Sequence, residues 1–168
     1  VLKYDLTCSR FVSVFVASLT SILVVLIATQ YFSVFIGLMS GVFFSLLPIF
    51  VGLSQLATLE SFIMFFFTLS VYLFLNLLKQ FSIKKATVLG VVVGLAFLTK
   101  YTNLLLLPLF LWIYLLNYFM LKSKRNVRQD IFIGLAIISI ALITFFLLWP
   151  FAWFNLEKMI DFEILLRY

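Results

Sequence analysis

Between Phe11 and Leu78 the chain carries a single charge, Glu60. A chain with that little charge has few ways to keep its apolar side chains from water. Hydrophobic residues make up 65% of its 168 positions, against roughly 45–50% in a soluble domain. One globular core of this size cannot hide the excess, so the chain is polytopic and membrane-embedded. The expected fold class is an all-α polytopic transmembrane helix bundle of about six spans.

The spans follow from where charges and turn residues fall. Phe11 to Thr29 is an uncharged run of about 19 residues, enough to cross a hydrocarbon core of about 30 Å. Gln30 and Tyr31 mark a tight turn. Phe32 to Val51 is the second span. Its Gly37-x-x-x-Gly41 lets another helix approach closely, and Pro48 loosens its last turn. A polar patch follows at Ser54, Gln55, Thr58 and Glu60. Ser61 to Leu78 is the third span, ending in the basic loop Lys79 to Lys85. Ala86 to Leu121 is too long for one crossing. Two crossings joined by a turn at Thr99 to Asn103 fit it better. The first of these, Ala86 to Leu98, is short and carries Gly90-x-x-x-Gly94, which suggests that its charged turn dips into the membrane. A second basic loop runs from Lys122 to Arg128. Ile131 to Trp149 is the sixth span and leads into an aromatic interfacial belt, Trp149 to Phe154. Asn155 to Tyr168 reads as an interfacial helix or the start of an exposed loop.

The net charge of +6 is an orientation signal and does not point to nucleic acid. Seven of the twelve basic residues lie in the two loops 79–85 and 122–128, which places those loops on the cytoplasmic side. Alternation then puts Glu60 and Lys100 together on the other side. There is no histidine, and Cys8 is the one cysteine. Cys/His zinc sites, a Ser–His triad and an intrachain disulfide are excluded. The chain starts at Val1 with a polar stretch unlike a signal peptide. Residues 1–168 are therefore expected to form a single transmembrane domain, part of a longer one that is incomplete at its N-terminus.

Two charges stand out, Glu60 and Lys100, each flanked by apolar sequence on both sides. A charge at mid-bilayer costs roughly 2.5–3.5 kcal/mol on insertion scales. The bland account makes Glu60 a helix-start residue, favoured there by the helix dipole by about 0.3–1 kcal/mol, and Lys100 a snorkelling residue in a turn. The bland account also covers the Gly-x-x-x-Gly pairs as plain helix packing, Arg10 as an interface anchor and Cys8 as inert. Taken together, an acid and a base on one membrane face suit different work. The carboxylate could hold a divalent cation or orient a polar acceptor, although one carboxylate does not make a metal site. The lysine is a point charge suited to a lipid-linked phosphate.

The run from Pro48 to Glu60, with its proline, small polar cluster and acid before a Phe-rich span, resembles the second outer loop of membrane glycosyltransferases of the GT-C type. The nearest group is the dolichyl-phosphate-mannose–protein mannosyltransferase-like and lipid A aminoarabinose transferase-like superfamily. Gly94-Leu-Ala-Phe-Leu-Thr-Lys100, followed eight residues later by Pro108, is similar to a second element of that group. Trp149-Pro150-Phe-Ala-Trp153-Phe154-Asn155 resembles its exit from a later span, and Arg10 to Leu26 the span after its first large outer loop. The resemblance covers roughly Ser9 to Asn155.

The resemblance implies transfer of a sugar from a polyprenyl-phosphate carrier to a protein, lipid or glycan acceptor. It places the reaction at the non-cytoplasmic face, typically of the plasma membrane, with inversion at the anomeric carbon. Glu60 would take the position of the second-loop acid, and Lys100 that of a lysine facing the carrier phosphate. The expected partners are the polyprenyl-phosphate-linked sugar and membrane lipids, with no nucleic acid. No cofactor is assigned, and a divalent cation stays open. The family's catalytic acid lies in the first outer loop, upstream of the region matching Ser9. Asp5 lacks its pattern, so the catalytic residue is left unknown and the piece alone is expected to be inactive. A multi-pass transporter or lipid flippase, with both charges lining a substrate path, is the alternative. A structural subunit without chemistry is the third reading.

Overall fold

The computed structural model describes residues 2–56, 58–121 and 127–149. Seven α-helices and one short 3-10 segment, with no strand, make up these residues. The helices are α1 (Leu2–Tyr31), α2 (Val34–Ser45), α3 (Pro48–Gln55), α4 (Glu60–Lys79), α5 (Ile83–Thr99), α6 (Leu106–Leu121) and α7 (Val127–Leu148). Helix is the only local structure that lets such segments close every backbone hydrogen bond without water. Several hydroxyls inside the spans are satisfied within their own helix too. Ser13, Thr20 and Ser70 each donate to the carbonyl four residues back, at 3.2, 3.1 and 2.7 Å.

Among the described residues, four helical stretches are long and apolar enough to cross a membrane, or five spans if the bent pair α2–α3 counts as one. The remaining expected span is α5, whose 17 residues reach only about 25 Å. Its first turn includes Lys84 and Lys85, which the sequence had assigned to a loop; the non-helical link is Gln80 to Ser82.

Two further boundaries differ from expectation. Gln30 and Tyr31 do not turn the chain, because nothing there breaks a helix. α1 continues through Tyr31, and Ser33 caps the next helix by accepting the Ile36 N–H at 3.3 Å. Pro48 does more than loosen a turn. It stands at the start of α3, and its ring bars Leu47 from helical geometry, leaving that residue at φ −59°, ψ 124°. The second span is therefore two helices bent by 60°. The belt residues Pro150 to Phe154 and the segment from Asn155 to Tyr168 lie outside the described residues, as do Lys122 to Asn126.

Both Gly-x-x-x-Gly pairs pack helices, as the bland reading had it. Gly37 and Gly41 face Thr29 and Val25 on the antiparallel α1. A Cβ on Gly90 would lie 3.0 Å from the Ile137 carbonyl oxygen, and one on Gly94 2.7 Å from that of Ala141. The partner numbers rise together, so α5 and α7 run parallel, backbone against backbone. α4 joins the two halves. It packs on α1 and on α5, and the Gln30 side chain of α1 donates to Asn76 of α4 at 3.1 Å. The core lies among α4, α5, α6 and α7, with Leu77, Leu89, Val93 and Leu106 almost completely enclosed.

Candidate functional site

Glu60 is the first residue of α4, where unpaired backbone N–H groups and the helix dipole favour a carboxylate. Lys100 stands directly after α5, in extended conformation at φ −165°, ψ 143°. Its backbone is held by a local network. The Asn103 side-chain amide donates to the Ala96 carbonyl at 2.7 Å and to the Thr99 hydroxyl at 2.9 Å. The Thr99 hydroxyl donates to the same carbonyl at 2.7 Å, and the Asn103 N–H donates to the Lys100 carbonyl at 3.1 Å. This closes the C-terminus of α5 without a glycine and starts the 3-10 segment Tyr101–Leu105.

Forty positions apart in sequence, the two singled-out charges meet. Lys100 Nζ donates to Glu60 Oε1 at 2.9 Å. The pair is half-exposed, at 40% for the lysine side chain and 37% for the glutamate, so a ligand can reach both without breaking a sealed core. Glu60 raises the Lys100 pKa above the ordinary lysine value, first through the hydrogen bond and then through its charge, against a smaller opposing effect of desolvation. Lys100 is therefore a cation at any physiological pH. Glu60 brings one carboxylate, and one of its oxygens is already engaged. Among the described residues no group of three acidic, cysteine or histidine side chains could hold a metal ion.

Lys100 also stands at one end of a groove of about 910 Å³ between α6 and α7, floored by α4 and α5. The groove exists because α6 packs on α4, through the stacked rings of Phe74 and Phe110 at 4.3 Å, and makes no extended contact with α7. Its walls are aliphatic and aromatic, with Leu77, Val93, Phe97, Leu111, Ile137 and Leu142 among them. Tyr101 and Trp149 share the Lys100 end. Tyr114 and Asp130 stand at the other, where the tyrosine hydroxyl donates to Asp130 Oδ2 at 2.9 Å. Glu60 is not part of the groove lining; it reaches the groove only through Lys100.

Family membership decides the class. The family model for dolichyl-phosphate-mannose-protein mannosyltransferase matches residues 3–149. The chain belongs to that family. No curated protein and no solved structure matches it significantly. The match spans both Glu60 and Lys100, all seven described helices but the first residue of α1, and the whole groove. At family level this mannosyltransferase-like protein is an integral membrane glycosyltransferase, as the resemblance implied.

Of the groups that line or support the site, sequence reasoning missed Tyr114, Asp130 and the capping role of Asn103. Asn103 appeared only as the end of a turn. Tyr114 and Asp130 carry no sequence signal for their pairing, because it depends on how α6 and α7 face each other.

Proposed function

We propose that this mannosyltransferase-family protein moves a sugar from a polyprenyl-phosphate carrier to an acceptor hydroxyl on a protein, lipid or glycan at the non-cytoplasmic face. The observation that carries this is the placement of Lys100, a fixed cation at the mouth of a long apolar groove. That combination matches an anion-headed lipid. The ammonium would contact the phosphate, and the groove would take the tail. The two basic loops on the opposite side of the alternation support the sidedness.

The chemistry asks little of these residues. The acceptor oxygen attacks the anomeric carbon as the bond to the phosphate oxygen breaks, and the carrier leaves as polyprenyl phosphate. Charge grows on the departing phosphate, so a cation held in place beforehand stabilises the transition state more than the ground state. Glu60 holds Lys100 while the site waits. When the phosphate takes over the ammonium, the carboxylate is freed to accept a hydrogen bond from the acceptor. The proton finally leaves with a base that none of these residues is assigned to provide.

The test uses the full-length protein in membranes, given a mixed pool of polyprenyl-phosphate sugars. Release of free polyprenyl phosphate is followed in wild type, Glu60→Gln and Lys100→Ala. Release should fall at least tenfold in both variants, the scale of a lost charged hydrogen bond. No release from any donor by folded wild type would transfer the reading to a transporter. Release unchanged in both variants would leave the ion pair as a structural clasp.

A further inference from the structure

The groove has two ends of opposite character, and its length is set by α7. Asp130 at one end and Trp149 at the other are separated by 19 positions of sequence, or about 28 Å of helix. Gly134, one turn from Asp130, lines the groove, and a Cβ placed on it would meet nothing within 4 Å. It differs in this from Gly90 and Gly94, whose bare faces are filled by α7. Helix packing therefore does not fill the face at Gly134, which stays open to an occupant passing along the groove. The Tyr114–Asp130 hydrogen bond then closes the far end with polar atoms that an apolar tail does not cross.

We propose that the groove measures the carrier's tail. This rests on the reading of Lys100 as the phosphate contact. An extended isoprene unit advances about 5 Å, from four backbone bonds of about 1.5 Å each, so the groove takes about five to six units before the tail meets Tyr114 and Asp130. Further units turn out sideways between α6 and α7, where the two helices leave the groove open to lipid. In the bilayer they trade one hydrocarbon surrounding for another and add nothing to affinity. Tail recognition is thus graded up to the groove length and indifferent beyond it, and Gly134 and the Tyr114–Asp130 pair set the break.

The experiment measures binding of sugar-free polyprenyl monophosphates of graded length to the full-length protein in lipid nanodiscs. In wild type, Kd should tighten about twofold per unit as packing contacts accumulate, then level off at about five to six units. Gly134→Leu should move the break about one unit shorter, because it blocks the last turn of the groove. Ile138→Trp, which lines the groove one turn further from Asp130, should move it about two units shorter. Gly134→Ala should behave nearly as wild type and reports on folding. A break that stays put in both blocking variants overturns the gauge, as does affinity that keeps rising with the longest tails. If affinity is flat with length but Lys100→Ala weakens every carrier alike, the gauge is overturned while the phosphate reading stands. If no carrier of any length binds, both fall.

Discussion

α7 meets two neighbours in opposite ways. Against α5 it is packed backbone to backbone, because Gly90 and Gly94 remove the side chains that would hold the helices apart. Against α6 it stands off. α6 offers no small-residue pair; most of its residues are Leu, Phe, Trp and Tyr, and it is anchored instead to α4 by Phe74 and Phe110. In a membrane there is no water to drive helices together, so association follows shape. Where the shapes close, the result is a seam; where they do not, the result is a groove. The candidate site uses both. The seam fixes the end of α5 that carries Lys100, and the groove leads away from it.

The seam should be the more fragile under substitution. Gly94→Leu would press a side chain onto the Ala141 carbonyl and Thr144, with a Cβ already at 2.7 and 2.8 Å. A loss of about 3 kcal/mol is expected from such overpacking, read as a large drop in thermal unfolding temperature in detergent. A stable Gly94→Leu protein would mean that the two helices are not in backbone contact. Tyr114→Phe removes a hydrogen bond between α6 and α7 and should cost about 1 kcal/mol. The expected readout is a small shift in stability and a wider spacing between probes placed on the two helices. A spacing that does not change would show that the pair does not hold the far end closed. The smallest effect is predicted for Gly134→Ala on the groove side of α7. It should stabilise the helix by up to about 1 kcal/mol, since it gains propensity and meets no neighbour. A substantial loss there would place another part of the protein in the groove.

Much of the architecture was legible along the chain. Charge-free runs marked the spans, and Glu60, Lys79 and Lys100 mark helix ends to within a residue. The misread boundaries share a cause. Pro48 and Ser33 act on the backbone locally, and hydropathy averaged over a span does not register a residue that bars its predecessor from the helix. The lysines at 84 and 85 likewise looked like loop residues, although a helix can start with them when its first turn reaches the membrane surface. The belt and the C-terminal segment, which fall beyond Trp149, lie outside what the structure describes.

Sequence by itself determined that this protein lives in a membrane, roughly where its apolar spans lie, and which two charges are out of place in hydrocarbon. Each of those is a property of one segment and its solvent, and hydrophobicity acts segment by segment. Only the tertiary structure decided that Glu60 and Lys100 share a hydrogen bond, that Gly90 and Gly94 face α7, and that α6 and α7 leave a groove ending at Tyr114 and Asp130. Those facts depend on which surfaces fit across tens of residues of chain. In a bilayer, where every apolar face is equally content with lipid, only shape and a few polar contacts choose among the pairings.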